Sequence, residues 1–311
     1  MKELTGARRR LAALEMLAGG ASYGFMATTY KLAYAHGYSW QQVVAGQAWM
    51  GCLLFALLAV VEAARGTRLV RLPLRDVARL LGLGVLTSVT SCFYCFAMTR
   101  LEAPIALTLL FQYSWLGIPV QLVLDGRRPT RREAVSAAVI VAATPIASGA
   151  WQRGIAGLDL VGVGAALVAA LSCATFLALS GRVTPECGTG QRGTLICLGM
   201  AAVSLVICPT YLPSGVFLTG MAPYALMAGL FGMFLPVLCF GLGGPHLSAA
   251  SATVLASVEL PAGLLVSSVV LGDGSGLSQW VAVAVILGAI AFSQSAGGAK
   301  SRAGQAASQE A

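Results

Sequence analysis

Ten stretches of mainly apolar residues, each about 20 residues long, follow one another along the chain with short polar breaks between them. A helix needs about 20 such residues to cross the hydrocarbon core of a bilayer. Only 10% of the residues are charged, whereas about 25% are charged in a soluble domain. The sequence therefore predicts an all-α membrane protein with ten transmembrane helices, whose main surroundings are the lipid bilayer.

The predicted spans end where charged residues, Gly and Pro cluster. The basic start of the chain resembles a signal peptide, but the apolar run after it lacks a convincing cleavage site, so we interpret it as an uncleaved first helix. The polar segment 299–311 is expected to be a disordered tail. The ten spans are predicted at 11–33, 40–62, 77–98, 102–124, 133–150, 157–180, 193–211, 222–242, 249–271 and 278–297.

The distribution of Lys and Arg predicts the orientation of these spans. With a cytoplasmic N-terminus, 17 basic residues fall on the cytoplasmic side and three, Lys31, Arg100 and Arg153, fall outside. Cytoplasmic loops of membrane proteins carry the excess of Lys and Arg. Both termini are therefore predicted to be cytoplasmic, in the inner (plasma) membrane of a bacterial type of cell.

The formal net charge of +8 does not indicate nucleic acid, because the basic residues sit in short loops and form no continuous footprint. The cysteines lie mostly in or beside apolar runs and are expected to be reduced packing residues. The chain carries no P-loop, nucleophile elbow or zinc-protease signature. His36 and His246 are predicted on opposite sides of the membrane. No cofactor, no metal site and no enzymatic activity are therefore predicted.

A shift of 147 residues superimposes the third to fifth spans on the eighth to tenth, and it matches Cys92 with Cys239 and Phe93 with Phe240. The chain thus divides into a first five-helix repeat, 1–152, and a second, 153–298. Because five is an odd number, the second repeat must enter the membrane from the opposite face, which makes the pair an inverted repeat. Such a duplicated unit can enclose its own cavity, so a monomer is expected.

Two segments carry a resemblance to a known family. They are GGPHLSAASATVLASVELPAGLLVSSVVLGDGSGLSQWVAVAVILGA, at 243–289, and RLEAPIALTLLFQYSWLGIPVQLVLDGRRPTRREAVSAAVIVAA, at 100–143. In these segments the chain resembles the EamA-type transporters of the drug/metabolite transporter superfamily. The resemblance implies metabolite transport, with a central cavity lined by the first four helices of each repeat. Pro261 matches the proline of the family's ninth helix, whereas Ser114 replaces proline in the first copy and Gln47 stands where many relatives have Arg.

Glu259 is the sharpest candidate for a functional residue, because it lies near the middle of the ninth span. A charge at that depth costs about 2.5–3.5 kcal/mol on insertion scales. No Lys or Arg falls in the central third of any predicted span, so the carboxyl is expected to be protonated or to face a wet cavity. Either state suits exchange of a proton for a cationic substrate. The alternative is a neutral carboxyl that only packs against a neighbouring helix. Pro261 should loosen this helix.

Other polar and aromatic residues are predicted to bind substrate with Glu259. Gln112 is its counterpart in the first repeat and shares a helical face with Thr108 and Trp115. A role for Gln112 in hydrogen bonding between helices, without substrate, is an equally good interpretation. On the first helix Tyr23 is preferred to Tyr30, which is expected in an aromatic belt at the outer interface. The predicted substrate-binding residues are Glu259, Gln112, Trp115, Tyr94, Tyr23, Gln47, Ser91 and Thr108.

These features predict a secondary transporter that moves a small organic metabolite, either a cationic amine or an amino-acid-like molecule, by alternating access. Proton coupling through Glu259 is a further expectation. The alternative is a membrane-embedded enzyme or lipid-handling protein in which Glu259 acts as acid or base. That alternative needs a second polar partner at the same depth, for which Gln112 and Ser257 are the nearest options.

Overall fold

The computed structural model describes residues 6–67, 69–126, 128–149, 159–180, 182–183, 186–247, 249–272 and 276–307. Within these ranges the chain forms helices and no strand. In chain order the helices are α1 (Gly6–Ala35), α2 (Trp40–Ala64), α3 (Leu74–Arg100), α4 (Ala103–Leu110), α5 (Tyr113–Asp125), α6 (Arg131–Ala147), α7 (Leu160–Ser180), α8 (Thr189–Ile207), α9 (Phe217–His246), α10 (Ala249–Ala256), α11 (Glu259–Val270) and α12 (Leu277–Ala307).

Seven helical segments in the described ranges are long and apolar enough to cross a membrane. Large apolar side chains also point outwards, such as Val123 at 84% and Leu218 at 86% exposure. Soluble monomers rarely expose large contiguous apolar patches. The fold is therefore all-α and compatible with a multi-pass membrane protein. The seven segments are Trp40–Ala64, Leu74–Arg100, Ala103–Asp125, Leu160–Ser180, Thr189–Ile207, Phe217–His246 and Ser251–Val270.

A helix lies at each of the ten predicted positions, but three of them differ from the expected shape. The fourth and ninth positions hold two helices each, α4 with α5 and α10 with α11. The last helix, α12, continues to Ala307 and so enters the segment 299–311 that was expected to be disordered. The predicted boundary between the repeats at 152–153 lies outside the described residues.

Local sequence signals explain where several helices begin. Ser39 accepts a hydrogen bond from the N–H of Gln42, whose side chain accepts one from the N–H of Ser39. Thr130 and Glu133 make the same reciprocal pair before α6. Both are capping boxes, which satisfy two of the N–H groups that a helix start leaves without partners.

The two halves of the chain pack against each other along much of their length. Glycines allow close approaches between them: a Cβ added to Gly190 of α8 would come within 2.3 Å of the backbone nitrogen of Ala59 on α2, and one on Gly84 of α3 within 2.0 Å of the carbonyl oxygen of Ile196 on α8. Small residues allow helix backbones to approach this closely. The main core that results contains Tyr30, Val44, Phe55, Tyr94, Met98, Ala169 and Met200, and a second core around α6 and α12 contains Phe111, Ile140, Leu260 and Ile286.

Polar contacts also join the halves at the helix ends. Glu62, near the end of α2, accepts a hydrogen bond of 3.0 Å from the N–H of Gly190 in the first turn of α8. Gly188 stands at the N-cap of α8 and has no side chain with which to cap it. The carboxylate of the other half of the chain therefore completes this helix end, where a negative charge is also favoured by the helix dipole.

A second link joins α3 to α7. Arg100 donates a hydrogen bond of 2.8 Å to Asp159, and the other oxygen of Asp159 accepts bonds from the N–H groups of Val161 and Gly162. The bond from Gly162 and then the Arg100 guanidinium hold the pKa of Asp159 below its usual range. Asp159 thus caps α7 and ties it to the first half of the chain.

Candidate functional site

Two interrupted helices define the candidate site. α4 gives way to α5 at Phe111 and Gln112, and α10 gives way to α11 at Ser257 and Val258. The shift of 147 residues found in the sequence carries Gln112 onto Glu259. Under this shift the two interruptions coincide to within one residue; Gln112 lies in the first, and Glu259 directly follows the second.

Local backbone chemistry explains the interruption before Glu259. The N–H of Val258 bonds to the carbonyl of Leu255 and that of Leu260 to the carbonyl of Ser257, both at 3.3 Å, so the α-helical spacing tightens here by one residue. Pro261 follows and has no N–H to donate. The expected loosening of the helix near Pro261 is confirmed by this interruption.

The first interruption has a different origin, because Ser114 stands at the position equivalent to Pro261. The side-chain amide of Gln112 donates to the carbonyl of Thr108 at 2.9 Å, while the backbone N–H of Gln112 bonds to the carbonyl of Leu109 at 3.2 Å. The side chain thus satisfies the carbonyl that the backbone N–H of an unbroken helix would have taken.

Helix α1 lies directly against the second interruption because two glycines allow it. A Cβ on Gly20 would come within 2.4 Å of the carbonyl oxygen of Ala256, and one on Gly24 within 2.5 Å of the backbone nitrogen of Gly263. Gly20 and Gly24 form a G-x-x-x-G pair, a sequence pattern that indicates close helix packing. The contact brings Tyr23, which lies between the two glycines in sequence, to the level of Glu259.

Glu259 is 5% exposed and begins α11. Its Oε2 accepts a hydrogen bond of 3.1 Å from the hydroxyl of Tyr113, the first residue of α5. One interrupted helix therefore contacts the other through these two side chains. The N-terminal position in α11 favours a negative charge on the carboxyl, whereas burial opposes it.

Three further side chains lie within electrostatic range of the Glu259 carboxyl: Tyr23 of α1, Tyr94 of α3 and Cys173 of α7. Tyr23 and Tyr94 belong to the predicted set, whereas Tyr113 and Cys173 do not. The structure thus gathers a carboxyl group, three phenol rings and a thiol from five helices. Such rings can hold a cation against their faces, while the carboxylate supplies the opposite charge.

Gln112 belongs to a separate hydrogen-bond network. Its side-chain amide donates to Thr144 on α6 at 2.8 Å as well as to Thr108, and its oxygen accepts a bond of 2.8 Å from the indole N–H of Trp115. Thr108 in turn donates to the carbonyl of Pro104. The three residues were expected on one helical face, but the helix is interrupted at Gln112. The side chain of Gln112 nevertheless bonds to both other residues and to the neighbouring helix α6.

Gln47 is 1% exposed and bonds to α1: its oxygen accepts a hydrogen bond of 3.0 Å from Tyr30. Tyr30 is fully buried, so the expectation that it lies in an aromatic belt is wrong. Its ring packs edge-on against Tyr94, with centroids 6.0 Å apart. Ser91, one turn before Tyr94 on α3, is also buried. These residues form a layer beside the group around Glu259.

A cavity of about 410 Å³ lies near the other end of α1, and its walls include Lys31, Tyr34, Tyr38, Trp40, Met98 and Thr99. Lys31 follows Tyr23 by eight residues, which corresponds to roughly 12 Å along the helix. None of the residues gathered around Glu259 is among the residues that line this cavity. Among the described residues no three His, Cys, Asp or Glu side chains come together as a metal site would require.

Comparison with protein-family models and with curated proteins finds no match. The fold is similar to a solved structure described only as the crystal structure of a protein, with a TM-score of 0.64 and 18% sequence identity. The alignment covers 90% of this chain and 95% of the other. At this level of identity the likeness concerns the fold alone.

Proposed function

We propose that this protein is a multi-pass secondary transporter of the inner membrane, which moves a small organic metabolite by alternating access. In this proposal ten spans form two inverted five-helix repeats, as the resemblance to the EamA-type transporters implies. Both termini are cytoplasmic, and the substrate is a cationic amine or an amino-acid-like molecule.

The observation that carries this proposal is the pair of matched interruptions, joined by the hydrogen bond from Tyr113 to Glu259. Transporters built from inverted repeats bind substrate near the middle of the membrane, at discontinuous helices in corresponding positions of the two halves. The equivalence of Gln112 and Glu259 under the 147-residue shift supports such an origin for the two breaks. Breaks that arose independently would have no reason to coincide.

The chemistry around Glu259 supports a positively charged substrate. The described groups that interact with its carboxyl are the phenols of Tyr23, Tyr94 and Tyr113 and the thiol of Cys173. None of these is a cationic side chain that would neutralise the carboxylate permanently. A buried acidic group in a membrane protein commonly marks the path of a substrate or proton. We propose that Glu259 exchanges its proton for the substrate cation.

Alternating access then requires the group around Glu259 to open towards each side in turn. In the structure Glu259 is 5% exposed, and Lys31 in the cavity wall lies roughly 12 Å along α1 from Tyr23. We interpret this conformation as one in which the substrate site is closed. Separation of α5 from α11 breaks the Tyr113–Glu259 bond and exposes the carboxylate.

The experiment that tests the proposal is transport in liposomes. The full chain is reconstituted, and uptake of labelled amines is followed together with proton movement reported by an internal pH dye. Wild type is expected to couple the two, whereas Glu259→Gln should abolish coupled proton movement. Glu133→Gln is the matched control, since glutamine can also complete the capping box of α6.

Undiminished substrate-driven proton movement in the Glu259→Gln protein would reject Glu259 as the coupling residue. Absence of transport for any amine or amino acid tested, in a correctly folded wild-type protein, would reject the proposed function. Chemical conversion of an added lipid or acyl compound, dependent on Glu259, would favour the embedded enzyme instead.

A further inference from the structure

One buried hydroxyl near Glu259 has no hydrogen-bond partner. Tyr94 is 1% exposed, and its phenolic oxygen contacts no donor or acceptor among the described residues. Three other tyrosines of the interior donate hydrogen bonds: Tyr30 to Gln47, Tyr34 to the carbonyl of Cys95, and Tyr113 to Glu259. A buried polar group without a partner is destabilising, so its retention calls for an explanation.

The position of Tyr94 suggests what that hydroxyl contacts. Tyr94 interacts electrostatically with Glu259, and its ring is held edge-on by Tyr30 at 6.0 Å. The unbonded hydroxyl is therefore buried within electrostatic range of the carboxyl.

We propose that Tyr94 and Glu259 together bind a protonated primary or secondary amine, and that the Tyr94 hydroxyl rejects quaternary ammonium ions. One N–H of the ligand donates to the Glu259 carboxylate and a second donates to the phenolic oxygen of Tyr94, which can accept as well as donate. This inference rests on the proposed function and narrows its substrate class.

A quaternary ammonium ion has no N–H group. It gains the attraction of the carboxylate and of the aromatic faces, but it leaves the Tyr94 hydroxyl as unsatisfied as in the empty site. Sites built to hydrogen-bond a substrate group discriminate against analogues that lack it, because the protein group is then left unpaired. A protonated tertiary amine has a single N–H group. When it donates this group to Glu259, the Tyr94 hydroxyl again remains without a partner, so tertiary amines are also discriminated against.

Two isomeric probes separate these possibilities. Propylammonium and trimethylammonium have the same atoms and charge, but the first has three N–H groups and the second has one. Binding of each to the purified full chain is measured by calorimetry, with tetramethylammonium as the fully substituted reference. Wild type is expected to bind propylammonium about tenfold more tightly than trimethylammonium, as one additional net hydrogen bond implies.

Tyr94→Phe should bring that ratio close to one, chiefly by weakening the binding of propylammonium. Because the substitution removes an unpaired buried hydroxyl, the ligand-free variant should be at least as heat-stable as wild type. Tyr34→Phe is the matched control: its hydroxyl bonds to a backbone carbonyl, and its loss should leave the ratio at about ten. Glu259→Gln should weaken all three ligands together.

Equal binding of the two isomers by wild type, or a ratio that persists in Tyr94→Phe, would overturn the inference while leaving the proposed function intact. A Tyr94→Phe protein that no longer folds would show that the hydroxyl has a structural partner, which also overturns it. If wild type binds none of the ammonium ions but does bind organic anions, the proposed substrate charge is wrong and the inference falls with it.

Discussion

Replacement of Gly24 by alanine tests the packing on which the site depends. The added Cβ would lie 2.5 Å from the backbone nitrogen of Gly263 and 2.9 Å from the carbonyl carbon of Ala262. Ordinary contacts of this kind are about 3.5–4.0 Å, so α1 and α11 must separate by roughly 1 Å. Since both neighbours are backbone atoms, no side-chain rotation relieves the clash.

The expected cost follows from two opposing effects. Overpacking of a well-packed interior costs about 1–3 kcal/mol, whereas alanine in a helix interior is favoured over glycine by up to about 1 kcal/mol. Gly164→Ala in α7 isolates the second effect, because nothing lies within 4 Å of a Cβ at that position. The difference in free energy of unfolding between the two variants should therefore be about 1–3 kcal/mol, with Gly24→Ala the less stable.

The assay is chemical unfolding of the full chain in detergent micelles, followed by loss of helical circular dichroism and repeated for both variants and wild type. If Gly24→Ala proves as stable as Gly164→Ala, α1 does not pack on α11 as described, and the position of Tyr23 beside Glu259 loses its support.

Three more predictions concern contacts between helices. Asp159→Asn keeps the cap of α7 but removes the charge that pairs with Arg100; because the folded-state pKa of Asp159 is lowered, its contribution should be present at neutral pH and lost as pH falls from about 4 through the folded value. Glu62→Gln retains an acceptor for Gly190 but removes the charge near the start of α8, so it should cost about 0.3–1 kcal/mol, and Glu62→Ala should cost more. Ser136→Ala removes a 2.8 Å hydrogen bond to a carbonyl of α12, and it should cost about 0.6 kcal/mol.

Each of these has its own measurement. For Asp159→Asn, thermal unfolding at a series of pH values should show the variant less stable than wild type at pH 7 and equal to it in acid. A difference in stability that does not change with pH would contradict the role of the Asp159 charge. For Glu62, hydrogen exchange at the amide of Gly190 should accelerate more in the alanine variant than in the glutamine variant; equal rates would remove Glu62 from the cap. For Ser136, unchanged unfolding would mean that the hydroxyl finds another acceptor.

The positions of the helices could be predicted because apolar length alone fixes them. The interruption at Glu259 was also predictable, since Pro261 removes a backbone donor. The interruption at Gln112 was not, because no proline causes it and the competing donor is a side chain. The contact of Tyr113 with Glu259 was not predictable either. In an unbroken helix the side chain of Tyr113 points about 100° away from that of Gln112, so a sequence that favours Gln112 as a site residue does not favour Tyr113.

The residues that each side chain contacts on other helices could not be predicted from the sequence. Gly20 and Gly24 indicated close packing, yet nothing in their spacing identifies Ala256 and Gly263 as the atoms they meet. Tyr30 was assigned to the membrane interface from its place near a helix end, whereas its hydrogen bond to Gln47 holds it in the interior. The position of Cys173 near Glu259 was even harder to predict, because a cysteine in an apolar run resembles any other small packing residue.

The cap that Glu62 provides for α8 has a consequence for biosynthesis. The acceptor belongs to the half of the chain that leaves the ribosome first, and the helix that needs it is made later. Glu62 is therefore already available as an acceptor when the start of α8 is made, and we expect this contact to favour packing of the second half onto the first. Separately synthesised halves would have to find each other in the bilayer with that end of α8 still bonded to water.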